Sequence, residues 1–233
     1  MTTKHLLLCL LAVTACQGSD TKAAAPSNES AAPAAAATVP VAPPTALTSP
    51  EPAALAAQAP NTFSIIFQTS EGEVEIAVER ALAPLGADRL HYLASNGFFN
   101  GARFFRVVRG FVAQFGLSGV PAVDAAFETL PIKDDPRKIT NAKGTLVFAQ
   151  SSEPNSRSTQ MFINLEDNGP LLDSQGFAPV GRVVRGMDVV EKLFSTYGEM
   201  LTQQQSIIAS RGNPWLQTRY PELDSIVTAT VKQ

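Results

Sequence analysis

The chain has 233 residues and a net charge of −3, from 18 lysines and arginines against 21 aspartates and glutamates. This length allows one domain with additional segments, and the small acidic balance argues against a nucleic-acid-binding protein. Two cysteines and two histidines leave little material for thiolate nucleophiles, imidazole-based triads or histidine-rich metal sites.

The first sixteen residues have the pattern of an export signal. A short basic start, MTTKH, precedes the ten-residue apolar run LLLCLLAVTA and then Cys16. The run is shorter than the ~20 residues that span a bilayer and fits a signal peptide. Because VTAC resembles the lipobox of bacterial lipoproteins, we expect cleavage before Cys16 and its lipidation. An ordinary signal peptide with a chance cysteine is the alternative.

Localisation follows from the same motif. Gln17 stands where lipoproteins retained at the inner membrane carry aspartate, so the prediction is an exported protein on the outer membrane, facing the periplasm. A membrane contact is expected through this anchor only. The mature domain would have no thiol and one histidine, His91.

Residues 17–61 are dominated by alanine and proline. Frequent prolines break helices and favour extended chain, so this stretch is predicted to be a disordered linker. The folded domain is predicted over residues 62–233.

Within that domain, hydrophobic periodicity predicts mostly short strands. Residues 62–79 read as a hairpin around the turn SEG. Residues 84–98 read as a helix in which His91 packs rather than catalyses, and residues 118–143 as a long loop. Further strands are predicted on both sides of Gly110 and at 144–150, 159–165, 177–184 and 223–231, with a second helix at 186–194. These elements indicate a mainly-β (α+β) barrel.

The apolar stretch FFRVVRGFVAQFG, residues 104–116, contains an arginine that needs an explanation. Strand alternation predicts that Phe104 and Arg106 share one side. Arg106, Phe111 and Gln114 could line a shallow cleft for an uncharged ligand. The alternative is an edge arginine whose stem covers apolar neighbours.

That stretch resembles the cyclophilin signature, F-H-R-V-I followed by P-G-F-M-x-Q-G-G. GTLVFAQSSEPNSRSTQMFIN and LLDSQGFAPVGRVVRGMDVVEKL are similar to later blocks of the family, in the same order. The resemblance implies a closed antiparallel eight-stranded barrel capped by two helices. It also implies a monomeric peptidyl-prolyl cis–trans isomerase without cofactor or metal, acting on proline-containing peptides and on unfolded or folding exported proteins.

The resemblance carries the site residues over one by one. Arg106 would be the catalytic arginine, and Gln114 would bind the substrate backbone. The remaining residues would bind substrate, as pocket walls or groove contacts: Phe111, Val112, Ala149, Gln150, Gln160, Phe162, Leu172 and Phe177.

Five positions depart from the family pattern: Phe105 for histidine, Phe115 for glycine, Gln150 for asparagine, Leu171 for the tryptophan linked to cyclosporin binding, and Phe177 near the usual pocket histidine. They motivate an alternative, a peptide-binding or chaperone module with weak or no isomerase activity. A carboxylate-dependent hydrolase is a third possibility, but Asp134, Asp135, Glu153 and Asp167 lie in polar loops without paired spacing.

The pentapeptide RVVRG recurs at 182–186 without a following FxxQ. This second copy is predicted to be a strand-to-helix corner with Arg182 and Arg185 on the surface. Trp215 and Tyr220 are expected in a core, and the role of residues 199–223 stays open.

Overall fold

The computed structural model describes residues 43–233. Its strands are β1 (Thr62–Thr69), β2 (Gly72–Glu79), β3 (Arg106–Val108), β4 (Val112–Phe115), β5 (Thr145–Phe148), β6 (Met161–Asn164), β7 (Pro179–Arg185) and β8 (Ile226–Lys232). Its helices are α1 (Thr45–Thr48), α2 (Pro52–Leu55), α3 (Pro84–Ser95), α4 (Pro121–Glu128), α5 (Gly169–Leu172), α6 (Met187–Lys192) and α7 (Gln205–Arg219). Short 3-10 turns cover Asp173–Gln175 and Thr202–Gln204.

The eight strands form one antiparallel sheet in the order β3-β4-β6-β5-β7-β2-β1-β8. The sheet curls into a half-barrel but stays open, so the expected closed barrel is not found. The edge strand β3 has only three residues, and they pair with β4 but not with β8. The two edges meet instead at one isolated bridge between Arg103 and Ser225.

Alternating burial explains the main core. The strands β1 and β2 bury every second side chain, as expected for a sheet with one face turned inward. The buried face of α3, which includes Leu90 and Leu93, closes this core. Four phenylalanine rings meet in its centre with centroids 5.3–5.7 Å apart: Phe67, Phe99, Phe104 and Phe115.

A second apolar cluster lies under the segment between α6 and β8. Its buried members are Phe105, Leu117, Leu201, Ile208, Leu216 and Leu223. Trp215 and Tyr220, expected in a core, are half-buried against it. Helix α7 is kinked at Gly212, which has φ +64° and ψ −162°, and it contacts α4.

Strand alternation before β3 was predicted wrongly. Phe104 and Val107 both enter the main core, whereas Phe105 enters the second cluster. Regular pairing with β4 begins only at Arg106. The side chains of the two preceding phenylalanines therefore need not alternate between the two faces as they would in a regular strand.

Helices are more numerous than the two expected. Residues 118–143 contain α4, and residues 199–223 contain α7. Leu47 is buried in the main core, the Tyr92 hydroxyl donates to the Ala46 carbonyl (2.6 Å), and the Ala59 amide donates to Asp88 Oδ1 (2.8 Å). Residues 43–59 therefore pack on the domain, unlike the disordered linker that we expected there.

The second RVVRG lies where β7 ends and α6 begins, as predicted. Arg182 and Arg185 are about 60% exposed and pair with acidic residues of β2, at 3.9 Å for Glu79 and 2.6 Å for Glu73. This copy is a surface corner. No helix among the described residues is both long and apolar enough to cross a membrane.

Candidate active site

One face of strands β3, β4, β6 and β5 carries a row of four side chains in register. Arg106 pairs with Gln114, Gln114 with Phe162, and Phe162 with Val147. Directly opposite residues of antiparallel strands point to the same side. The neighbouring row points into the main core: Val107, Ala113, Ile163 and Leu146. The packing of the core thus forces Arg106 and its row to the outer face.

Hydrogen bonds fix the polar end of this row. Arg106 Nη1 donates to Gln114 Oε1 at 3.1 Å, and Gln114 Nε2 donates to Gln160 Oε1 at 3.0 Å. The guanidinium carbon lies 5.4 Å from the centroid of the Phe111 ring, within cation–π range. Because a guanidinium has five N–H donors, Arg106 keeps donors for a further acceptor.

An apolar pocket adjoins the arginine. Its buried residues are Val112, Val147, Phe162 and Leu172, and Phe111, Ala149 and Phe177 pack against them partly exposed. The Phe177 ring meets Phe162 edge-on at 5.6 Å. Of these seven, only Val147 was not predicted; it stands two residues before Ala149, in the stretch 144–150 predicted as one strand, and this spacing could have indicated it.

A buried asparagine holds the pocket together from behind. Asn168 Nδ2 donates to the Phe111 carbonyl at 2.8 Å and to Asn164 Oδ1 at 2.7 Å. The Asn168 carbonyl in turn accepts from the Leu172 amide at 2.9 Å. This residue therefore links two pocket walls, and nothing in its sequence neighbourhood pointed to it.

Glu199 is the main site contact that the sequence did not indicate. Its carboxylate accepts from Arg106 Nη2 at 2.8 Å and from Nε at 3.1 Å. The Arg106 side chain is 17% exposed and that of Glu199 is 57% exposed. The hydrogen bonds from Arg106 lower the pKa of Glu199 below its ordinary value. Since 93 residues separate the pair, only the fold brings them together.

A cavity of about 490 Å³ opens beside Gln114 and Gln160. Residues from α4 and α7 form its far wall, including Glu128, Gln205 and Ala209. The groove on this face is therefore bounded partly by segments outside the strands.

The structure gathers the predicted binding residues on one face. Gln150 lines the cavity beside Gln114, and its Nε2 donates to the Gln175 carbonyl at 2.9 Å. Cys16 lies outside the described residues. His91 is half-buried and its ring meets Phe63 edge-on at 5.0 Å; burial lowers its pKa.

Three of the four acids of the hydrolase alternative have structural roles, and Glu153 is exposed in its loop. Asp135 accepts from the Gly86 amide at the start of α3 and pairs with Arg157 at 3.2 Å. Asp134 and Asp167 each accept from a loop amide, that of Asn155 and of Lys143. Within residues 43–233, no group of three or more histidine, cysteine or acidic side chains is placed to hold a metal ion.

The sequence of this chain matches a known protein family. Residues 64–211 match the model for cyclophilin type peptidyl-prolyl cis-trans isomerases. The peptidyl-prolyl cis-trans isomerase of Acinetobacter baylyi is 35% identical over 152 residues, covering 62% of this chain and 80% of the relative. Isomerase A of Dickeya dadantii is 31% identical over 156 residues, covering 65% of this chain and 82% of the relative.

The fold agrees with that assignment. A Cryptosporidium parvum cyclophilin, solved in the presence of the dipeptide Ala-Pro, superposes with a TM-score of 0.54 at 16% identity, covering 73% of this chain and 99% of that one. At this identity the likeness concerns the fold alone, whereas the family model and the bacterial relatives concern the sequence itself. Together they establish that this chain belongs to the cyclophilin family and is a peptidyl-prolyl cis–trans isomerase.

Proposed function

We propose that Arg106 drives the isomerisation by donating a hydrogen bond to the prolyl nitrogen while the proline ring occupies the pocket of Val112, Phe162 and Leu172. The observation that carries this proposal is the hydrogen-bonded chain Arg106–Gln114–Gln160, in which Gln114 lies directly across from Phe162 of that pocket. The Ala-Pro dipeptide present with the Cryptosporidium parvum relative supports a proline-containing occupant.

The chemistry needs an arginine because the peptide C–N bond has partial double-bond character and a barrier of ~18–20 kcal/mol. In the twisted amide the nitrogen carries a localised lone pair, which accepts a hydrogen bond better than the planar ground state does. A donor at this nitrogen therefore binds the transition state more strongly than the substrate. Arginine stays protonated and presents rigid donors. Gln114 holds the guanidinium and can also reach the substrate backbone.

The apolar pocket performs the other half of the task. It anchors the proline ring while the preceding carbonyl rotates, and it excludes water that would compete for the nitrogen. Cis and trans differ by only ~0.5–1 kcal/mol before proline, so the enzyme changes the rate and leaves the equilibrium alone.

Replacing Arg106 with alanine tests this mechanism. We expect kcat/KM on an Ala-Pro peptide to fall on the order of a hundredfold, the usual effect of losing a transition-state donor. A protease-coupled assay measures the rate, and circular dichroism checks that the fold is kept. Arg182→Ala, at the equivalent position of the second RVVRG, is the matched control and should keep wild-type turnover. Near-normal turnover in Arg106→Ala would refute the assignment.

We also propose that the protein is a lipoprotein of the outer membrane whose clients are exported proteins. Support comes from the apolar run that ends in VTAC and from Gln17 after the cysteine. Lipidation would place the isomerase where secreted chains fold. Cys16→Ser should move the protein from the membrane fraction to the soluble fraction. A wild-type protein that is already soluble after fractionation would show that no anchor exists.

A further inference from the structure

Glu199 is held firmly beside the catalytic arginine. Leu201, two residues later, is fully buried in the second cluster, and Tyr197, two residues earlier, packs against that cluster. The Thr202 hydroxyl donates to Glu199 Oε2 at 2.9 Å. Anchors on both sides therefore fix the carboxylate against Arg106, while more than half of its side chain faces solvent.

The charges around the groove are mainly negative. Glu199 balances the charge of Arg106 at short range. The described residues that line the neighbouring cavity include Asp124 and Glu128 but neither lysine nor arginine. Arg109, an exposed cation in the turn between β3 and β4, donates from its Nε to Ser195 Oγ at 2.8 Å. A bound peptide therefore meets the exposed carboxylate of Glu199 at Arg106 and that of Glu128 at the cavity, whereas Asp124 is buried.

We propose that this active site selects Xaa-Pro segments by charge, with Glu199 as the specificity-determining residue. It favours substrates that carry a lysine or arginine near the proline over substrates that carry an acidic residue there. The inference rests on the proposed role of Arg106 and adds a substrate class to it.

Two physical effects act in the same direction. A basic side chain of the substrate is attracted to the exposed carboxylate of Glu199, whereas an acidic one is repelled. An acidic side chain of the substrate would also compete for the Arg106 guanidinium. To bind there it must first displace the Glu199 carboxylate, which already accepts from two nitrogens of Arg106. Glu199 thus keeps Arg106 from being captured by substrate carboxylates, which is selection by exclusion of the wrong partner.

The test compares peptides that differ only in charge. The full-length protein is assayed on Ala-Xaa-Pro-Phe and Xaa-Ala-Pro-Phe peptides in which Xaa is lysine, glutamine or glutamate. We expect kcat/KM for the better lysine peptide to exceed that for its glutamate counterpart about fivefold at low salt, the size of an exposed charge pair. The ratio should shrink as the ionic strength rises.

Glu199→Gln should bring this ratio down to between one and two, and Glu191→Gln should leave it unchanged. Glu191 pairs with Lys143 at 2.6 Å, so this control removes the same charge from a different contact. Because the ratio is taken within one variant, a general loss of activity cancels. An equal rate on lysine and glutamate peptides in the wild type, or an unchanged ratio in Glu199→Gln, would overturn the proposal.

Failure of the underlying mechanism would look different. It would appear as wild-type turnover of the uncharged glutamine peptide by Arg106→Ala, whatever the charge ratio of the wild-type protein. The two proposals are therefore separated by using the glutamine peptide for one and the ratio of charged peptides for the other.

Discussion

At the scale of single residues, Phe105 explains a departure from the family pattern. It precedes Arg106, where the family usually shows histidine, and it is 1% exposed in the second apolar cluster with Leu117, Leu201 and Ile208. An imidazole there would lose water without gaining a hydrogen-bond partner in this apolar cluster, at a cost of about 1–3 kcal/mol. The phenylalanine therefore suits the apolar contacts made by the segment between α6 and β8, which covers it. The contacts of the neighbouring Arg106 are not affected.

Phe115 has a comparable explanation. It replaces a family glycine, yet its ring contacts Phe67, Phe99 and Phe104 in the centre of the main core. Gln114, its neighbour, points to the opposite face. Both departures change packing behind the site and leave its polar contacts in place.

Asp124 predicts a pH dependence of stability. It is buried at 7% exposure, its Oδ1 accepts from the Ser118 amide at 2.7 Å, and burial raises its pKa to about 6 from 3.8. Between pH 4 and 6 the folded protein thus keeps a proton that the unfolded chain has lost. The contribution of this group to the free energy of unfolding consequently falls as the pH rises, by about 3 kcal/mol for two pKa units.

We expect Asp124→Asn to remove this contribution. Relative to the wild type, the free energy of unfolding of the variant should rise by about 2 kcal/mol between pH 4 and pH 7, as measured by urea denaturation. Glu128→Gln, an exposed change in the same helix, is the control. A wild-type-to-variant difference that does not vary with pH would contradict the assignment to Asp124.

At the scale of elements, the segment between α6 and β8 turns a bare sheet face into a groove. It supplies Glu199 to Arg106 and the α7 residues that wall the cavity. It also buries most of the second cluster. The sequence did not indicate the role of this segment. Its contacts with Arg106 and Gly119 join residues about ninety positions apart, and only the fold brings such residues together.

The kink of α7 is the point where this segment locks onto the domain. Gly212 adopts φ +64°, and the following Asn213 amide donates to the Gly119 carbonyl at 2.8 Å. A methyl group on Gly212 would overlap that carbonyl oxygen and touch Pro121. The approach of α7 to the loop before α4 therefore requires glycine at this position.

Gly212→Ala should accordingly lower the free energy of unfolding by more than about 2 kcal/mol, since backbone strain adds to the overlap. Thermal or urea unfolding measures the loss. Gly176→Ala is the matched control, because Gly176 also has positive φ (+78°) but open space around it. Its loss should be the smaller one, about 1 kcal/mol. Equal losses would mean that the close approach contributes nothing.

At the scale of the whole molecule, the chain from residue 43 onward is one folded unit. Leu47 fills a place in the main core, and α1 and α2 contact α4 and α3. The prediction of a disordered linker over residues 17–61 is therefore wrong for residues 43–59, and residues 17–42 lie outside the described part of the chain. An Ala- and Pro-rich composition does not exclude packing on the domain when one leucine, here Leu47, is buried in the core. Burial of one such side chain contributes about 1.5–3 kcal/mol.

Much of the sheet was predictable from local pattern. The hairpin of β1 and β2, the helix α3 and the corner at the second RVVRG follow from alternation, from Pro84 at a helix start and from glycines at the turns. Helix α4 was missed, although Pro121 at its first position and Asp124 in its first turn are helix-start signals. The glycines and prolines around it indicate a loop equally well.

The sequence by itself determined the family and the reaction, because ordered motifs carry them. It also predicted three of the four side chains in the row on the outer sheet face, Arg106, Gln114 and Phe162. Tertiary structure alone decided that the sheet stays open, that residues 43–59 pack on the domain and that Phe105 is buried. It also decided that Glu199 meets Arg106. Such contacts join residues far apart in the chain, and their geometry depends on the packing of every element between them.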